Sequence, residues 1–323
     1  MKISALIPTY NNAAFIEEAI DSIRRQSHPV DEIIVIDDGS TDNTEALIAT
    51  LTTASRDDLT YVKQDNQGPS AARNHGIEIA SGDWIAFLDA DDRWPQDKIA
   101  LQIAALKREP SLQLIAGDMA ETDQQGNVRV ESVLAKHQLL EQFQSLAGRP
   151  LNNALTALVE KNFIPTGTVL VKRAALKQAG GFNPDIRFGE DLELWAKIAC
   201  HHPITCLPQR LMYRRQHGAN ATQNTGPMLE DLVKVMGSIG QYGAEQLRRQ
   251  GVKPSTLRAS ALADLGYWHF SQGNYRQARN VFTSSLKAHL SKRALLYATA
   301  CLLPKTLITR LKVLKQQNIS TAQ

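Results

Sequence analysis

The sequence predicts an α/β chain with a mostly parallel central sheet, helices on both of its faces, and an all-helical C-terminal region. Three observations predict it. Short strand-like runs alternate with helix-periodic stretches over the first hundred residues. The runs Ile33-Ile34-Val35-Ile36 and Trp84-Ile85-Ala86-Phe87-Leu88 are apolar without alternation, as strands buried on both faces require. Beyond about Gly226 the strand signals stop and only helical periodicity remains.

Taken in order, Ile3 to Ile7 is a strand that stops at Pro8, and Phe15, Ala19, Ile20 and Ile23 give one helical face up to about Gln26. Ile33 to Ile36 runs into the turn Asp37-Asp38-Gly39-Ser40, where Thr41 or Asp42 can cap a helix carrying Ala46, Leu47 and Leu51. Leu59 to Val62 is a third strand, and Gly68-Pro69-Ser70 opens a helix with Ala71, Ala72, Ile77 and Ile79. Trp84 to Leu88 then enters Asp89-Ala90-Asp91-Asp92. Ligands of open parallel sheets lie beyond the carboxyl ends of the strands, so the loops after Ile7, Ile36 and Leu88 should converge on one crevice.

The middle is less regular. Leu112 to Ala116 and Val128 to Val133 read as strands around the turn Asp123 to Asn127, residues 134–162 as helix and loop, and Thr168 to Val171 as a strand. A short helix reaches Gly180-Gly181, and Leu192, Trp195, Ile198 and Ala199 place Glu190-Asp191 at a helix N-terminus, which favours carboxylates. A last strand, Leu211-Met212-Tyr213, leads to Arg214, Arg215 and His217. Leu262 to Phe282, with a Gly273-Asn274 turn, resembles one tetratricopeptide helix pair. The expected division is 1–225 and 226–323.

Net charge is +3, but from Asp231 onward there are 14 Lys and Arg against 3 Asp and Glu, so everything before Asp231 is net acidic. An acidic part can hold a diphosphate when a divalent cation neutralises both. Cys200-His201-His202 with Cys206 lacks the second ligand pair of a zinc site, and free thiols in a reducing setting are expected. The N-terminus lacks the sections of a signal peptide, and no apolar run is long enough to span a bilayer. A cytoplasmic location follows as the expectation. The stretch from Ala294 to Lys315 is apolar then basic, and it can dock on the preceding helices or rest on the inner face of a membrane; the basic helical region could also take a protein partner. Nucleic acid is not an expected partner.

Asp89, Asp91 and Asp92 at a strand end offer hard oxygen ligands for Mg²⁺ or Mn²⁺. With Asp37-Asp38 opening onto the same crevice, the carboxylates would raise one another's pKa unless a cation joined them. Asp38 could accept from a ring N–H of a uracil or thymine, Tyr10 could stack on the base, and Arg73 could reach the base or a phosphate.

Here a resemblance becomes specific. The chain resembles the family 2 glycosyltransferases, which have the GT-A fold, in Ile7-Pro8-Thr9-Tyr10-Asn11, Val35 to Asp42, Asn66 to Asn74 and Phe87 to Asp92. It does so again in Gly180-Gly181-Phe182, Gly189-Glu190-Asp191-Leu192-Glu193-Leu194-Trp195, and Tyr213-Arg214 with His217, covering about residues 1–220. The resemblance implies a nucleoside-diphosphate-sugar donor, UDP first, and a saccharide, lipid-linked or other hydroxyl acceptor. It places Pro8, Tyr10 and Asp38 around the nucleoside, Arg73 against the base, and Asp89 near the ribose and metal. Asp91 becomes the metal ligand with His217 approaching from the far lobe, and Asp191 the general base of an inverting transfer. The Gln-x-x-Arg-Trp motif of processive synthases is missing, so single-sugar transfer is expected.

Other readings fit less well. A nucleotidyltransferase needs an early basic, Gly-rich loop, and Pro8 to Asn12 has neither Lys nor Gly. A dinucleotide oxidoreductase fails because no Gly-x-Gly-x-x-Gly follows the first strand. A binding or scaffold protein with a dead transferase domain is the remaining alternative, against which stand Asp38, Asp89, Asp91, Asp191 and His217 together.

Overall fold

A computed structural model describes residues 1–53, 58–217 and 225–304. The chain forms two compact units, Met1–Gln223 and Asn224–Gln323.

The first unit is built on an eight-stranded sheet. Its strands are β1 (Ile3–Thr9), β2 (Glu32–Asp37), β3 (Leu59–Lys63), β4 (Trp84–Phe87), β5 (Leu114–Thr122), β6 (Val128–Val130), β7 (Leu170–Lys172) and β8 (Ile204–Arg215). They lie in the order β3-β2-β1-β4-β7-β5-β6, with β8 paired to β5. The pairings β3–β2, β2–β1, β1–β4 and β5–β8 are parallel; those of β7 with β4 and β5, and of β6 with β5, are antiparallel. The mostly parallel GT-A-type sheet expected from the sequence is therefore present, followed by an all-helical segment.

Every residue of β1 and β4 is buried, which accounts for the unbroken apolar run of β4 and for a β1 that is apolar except at Ser4 and Thr9. Strand β1 continues through Pro8 to Thr9 instead of stopping at the proline. Its pairing with β4 ends at Leu6, so the missing proline N–H falls where only β2 is alongside. The helices are α1 (Ile16–Arg24), α2 (Thr44–Thr53), α3 (Pro69–Ile79) and α4 (Lys98–Arg108), then α5 (Val133–Lys136), α6 (Leu140–Leu146), α7 (Ala154–Glu160), α8 (Arg173–Ala179) and α9 (Glu190–Ala199). Helix α3 starts with Pro69 in its first turn and lies very close to β1: a Cβ added at Gly76 would stand 2.3 Å from Leu6 Cδ1.

Several boundaries differ from the sequence reading. Strand β5 begins at Leu114, not Leu112, and runs on to Thr122. Strand β6 ends at Val130 because Ser132 caps α5, its Oγ accepting from the Ala135 N–H at 2.9 Å, and Val133 opens that helix. Thr166–Thr168 is a 3₁₀ turn, so β7 begins only at Leu170. Strand β8 is 12 residues long, well beyond the three expected. Pro208 lies in it beside a register shift opposite Gly117 and Asp118, and that breaks the apolar pattern.

In the second unit the helices are α10 (Thr225–Tyr242), α11 (Ala244–Arg249), α12 (Pro254–Ser271), α13 (Tyr275–Ala288) and α14 (Lys292–Ala300). Helices α12 and α13 form a hairpin, with Gly273 at φ +79° in the turn. Phe270 meets Tyr275 at the turn, Gly266 lets Phe282 close in, and Ser285 Oγ donates to the Ala259 carbonyl at the open end. Helix α14 packs back on the pair through Ala294 and Tyr297, whose ring stacks on Phe282.

Candidate active site

The loops following β1 and β2 are stitched together. Asn11, at φ +54°, accepts through Oδ1 from the Thr41 and Asp42 amides, and its own N–H donates to Ser40 Oγ at 2.9 Å. Asp37 is fully buried and accepts from the Ser40 amide at 2.7 Å and the Tyr61 hydroxyl at 2.6 Å. Asp38, also buried, accepts from Gln64 Nε2 at 2.8 Å and from the Gln67 and Gly68 amides at 3.0 and 2.7 Å. It thus fixes the turn that opens α3, where Gly68 takes φ +89°. Pro8 is buried in β1, whereas Tyr10, just past the strand, is 48% exposed.

The acidic turn is fixed to β8. Arg93 and Tyr213 exchange backbone hydrogen bonds at 3.2 and 2.9 Å, and the Arg215 amide donates to Asp92 Oδ1 at 2.9 Å. The Arg215 side chain donates to the Asp91 carbonyl and the Gln124 carbonyl and ion-pairs with Glu18. This docking brings His217 Nε2 to 3.0 Å from Asp91 Oδ2, with the imidazole stacked on Phe15 at 5.2 Å. Burial, then the charges of Asp91 and Asp89, push the Asp92 carboxyl well above the usual range; the Arg215 amide and Arg214 offset only part of that.

Arg73 joins the acidic turn to α9. Its Nη2 meets Asp89 Oδ1 and its Nη1 meets Glu190 Oε1, each at 2.8 Å, and Nε finds no partner. Burial opposes the guanidinium charge, but Asp89 and Glu190 dominate and hold it above its ordinary value. The guanidinium lies 5.2 Å from the ring centre of Phe182. Phe182 is held at both backbone groups by Asn74: its N–H donates to Asn74 Oδ1 at 2.8 Å and its carbonyl accepts from Nδ2 at 2.7 Å. Gly181 has φ +72°, and a Cβ there would meet Asn74 Oδ1 at 2.6 Å, so glycine is required. Behind them Phe182, Phe87 and Trp195 pack ring against ring.

Asp191 opens α9 after Gly189 at φ +83°. Its Oδ1 accepts from the Leu192 amide at 2.6 Å and its Oδ2 from the Thr166 hydroxyl at 3.2 Å. Burial raises its pKa; the Leu192 amide, Arg73 and Thr166 pull it back, and Asp89 adds to the rise, leaving it above the ordinary value. Burial likewise pushes Glu190 up to about 7, with Arg73 opposing and Asp191 reinforcing.

Asp89, Arg73, Glu190 and Asp191 are thus one electrostatic group, and Asp91 with His217 is a second at the same acidic turn. Among the described residues no three His, Cys, Asp or Glu are arranged to hold a metal ion. Sequence reasoning did not assign Thr166 or the side chain of Arg215 to the site. Arg215 carried a usable signal, its place at a strand end two residues before His217; Thr166 carried none.

Comparison with known proteins then gives a consistent result. The family model described as "Glycosyl transferase family 2" matches residues 4–176. An "uncharacterized glycosyltransferase" of Rickettsia felis is 34% identical over 223 residues, 68% of this chain and 34% of that protein, so the chain spans about a third of that relative's length. Among solved structures, S. aureus TarS 1-349 in complex with UDP-GlcNAc aligns over 93% of this chain and 88% of its own, with 20% identity and TM-score 0.66. The mannosyltransferase PcManGT from Pyrobaculum calidifontis, in complex with GDP-Man and Mn²⁺, aligns over 95% and 83%, with 22% identity and TM-score 0.55. These two likenesses speak for the fold.

Proposed function

We propose, for a chain that belongs to glycosyl transferase family 2, the transfer of a single sugar from a nucleoside-diphosphate sugar to a hydroxyl acceptor with inversion at the anomeric carbon. The observation that carries this reading is the linkage of the acidic turn to the Glu190-Asp191 helix start through Arg73. Through that linkage the acidic turn and the Asp191 carboxylate belong to one electrostatic group, which supports reading them as the two ends of one active site.

Asp191 is the general base. A partly buried carboxylate with a raised pKa is a better proton acceptor than a free one, and Thr166 and the Leu192 amide fix its two oxygens. It removes the acceptor hydroxyl proton while that oxygen bonds to the anomeric carbon; the bond to the diphosphate oxygen breaks and the diphosphate leaves with the electron pair. Tyr10, Pro8 and Asp38 border the nucleoside, the exposed Tyr10 ring being open to stacking on a base. Arg73 works as the brace that orients Asp89 and Glu190, meeting each at 2.8 Å.

The residues fit a divalent cation. Ligand atoms 3.0 Å apart, as Asp91 Oδ2 and His217 Nε2 are, match neighbouring corners of an octahedron with bonds of about 2.1 Å. Asp91 and His217 would hold Mn²⁺ or Mg²⁺, with phosphates and water as the other ligands, in keeping with a site that has few protein ligands of its own. When bound, the cation supplies positive charge to the leaving diphosphate. A UDP-sugar is the first expected donor, with dTDP- next and GDP-sugars last. The acceptor belongs to cell-surface polysaccharide, lipopolysaccharide or glycan synthesis. Single transfer is supported by the missing processive motif and by the lack, among the described residues, of a helix long and apolar enough to cross a membrane.

A panel of UDP-, dTDP- and GDP-sugars incubated with Mn²⁺, with and without chelator, tests the reading. Hydrolysis or transfer of one donor, abolished by chelation, is expected; turnover indifferent to the chelator overturns the metal requirement.

A further inference from the structure

We infer that the second unit carries a docking face for an anionic lipid bilayer, formed by α14 and the turn that follows it. Asp264 is the last acidic residue of the sequence; from there to the C-terminus nine Lys and Arg follow with no Asp or Glu among them. Against this one-signed background stands a group of exposed leucines. Leu290 is 82% exposed, Leu295 56%, Leu296 64% and Leu302 65%, with Leu303 also exposed.

Their placement on α14 is ordered. Ala294 is buried and Tyr297, Ala298 and Cys301 pack into the helical core, so that side of the helix is taken. Leu295 and Leu296 lie on the opposite side, with Lys292 one turn before Leu296. Capping is built in: Ser291 Oγ accepts from the Ala294 amide at 3.1 Å, so the helix begins where the basic pair Lys292-Arg293 begins. Arg293 ion-pairs with Asp264 and ties the helix start to α12, while Lys287 ends α13 close by in sequence.

An apolar face flanked by Lys and Arg, with every acidic side chain excluded from the following sequence, fits the interface of a membrane whose headgroups are anionic. Nucleic acid would answer the positive charge but offers nothing to four or five exposed leucines. A second copy paired through this same face would set positive charge against positive charge. The inference is independent of the transfer chemistry.

The test is co-sedimentation of the full chain with vesicles of phosphatidylcholine alone and of phosphatidylcholine with phosphatidylglycerol. Binding at least about tenfold stronger to the anionic vesicles, weakened by salt, is expected. The variant Leu295→Ser/Leu296→Ser/Leu302→Ser should lose about tenfold or more of it, since the apolar anchoring is removed. Leu295→Trp serves as the second variant: its emission should shift to the blue when anionic vesicles are added. No binding to anionic vesicles, binding unchanged in the triple-serine variant, or an unshifted Trp overturns the inference. So does a triple-serine variant that dissociates an oligomer while vesicle binding persists, or one in which only RNA binding is seen.

Discussion

Lys98 stands fully buried with its ammonium 2.9 Å from Gln102 Oε1 and 4.2 Å from the centre of the Trp94 ring. Burial alone drives its pKa well below the ordinary value. A lysine depressed in this way adds stability above its unfolded pKa and loses it as pH falls, so at neutral pH it weakens the fold. Lys98→Met should therefore raise the unfolding free energy by on the order of 1 kcal/mol at pH 7 in a urea titration, with the gain shrinking towards pH 10. Glu190 shows the opposite sign. Its carboxyl is pushed up to about 7, so its contribution is complete below the unfolded value and is lost as pH rises through about 7. Glu190→Gln should gain stability relative to the parent between about pH 5 and 8, by on the order of 1 kcal/mol; parallel pH profiles would contradict it. The residue types of the site could be read in the sequence, because Asp-x-Asp-Asp, Glu-Asp and a following His announce themselves. Their partners could not: Arg73 reaches Glu190 across 117 positions and the Arg215 amide reaches Asp92 across 123. Only the folded sheet closes such distances.

At the scale of elements, the strand–helix alternation of the first hundred residues was readable because Ile33 to Ile36 in β2 and Trp84 to Phe87 in β4 are buried, unbroken apolar runs and β1 is apolar but for Ser4 and Thr9. Legibility ended where local chemistry interrupts the pattern. Ser132 stops β6, the 3₁₀ turn delays β7, and Pro208 with its bulge hides most of β8. The hidden strand matters, since the end of β8 delivers Arg215 to the acidic turn and His217 beyond it. The Gly180-Gly181-Phe182 segment is a second positioning element. Gly181→Ala would force a Cβ onto Asn74 and strain a left-handed backbone, loosening the clamp on Phe182 and with it Arg73. A loss of about 1–3 kcal/mol in denaturant unfolding is expected, together with slower sugar transfer. Unchanged stability would show that the clamp has slack.

Across the whole molecule, charge is divided: the sequence before Asp231 is net acidic and the remainder net basic. Three carboxylates crowd into the turn Asp89 to Asp92, and the upward shift at Asp92 comes first from burial and then from the charges of Asp91 and Asp89. A cation with a nucleoside diphosphate should relieve it. Mn²⁺ together with UDP is expected to raise the thermal midpoint, by about 2.7 kcal/mol of added stability at a hundredfold excess over Kd, and Asp91→Asn should remove the effect. The central claim is that Asp191 takes the acceptor proton in the cleft that holds the donor. Its most direct test is the rate of sugar transfer by Asp191→Asn with donor and Mn²⁺ saturating. The predicted result is a fall of about a hundredfold to ten-thousandfold with donor affinity little changed; transfer at the parental rate would contradict it.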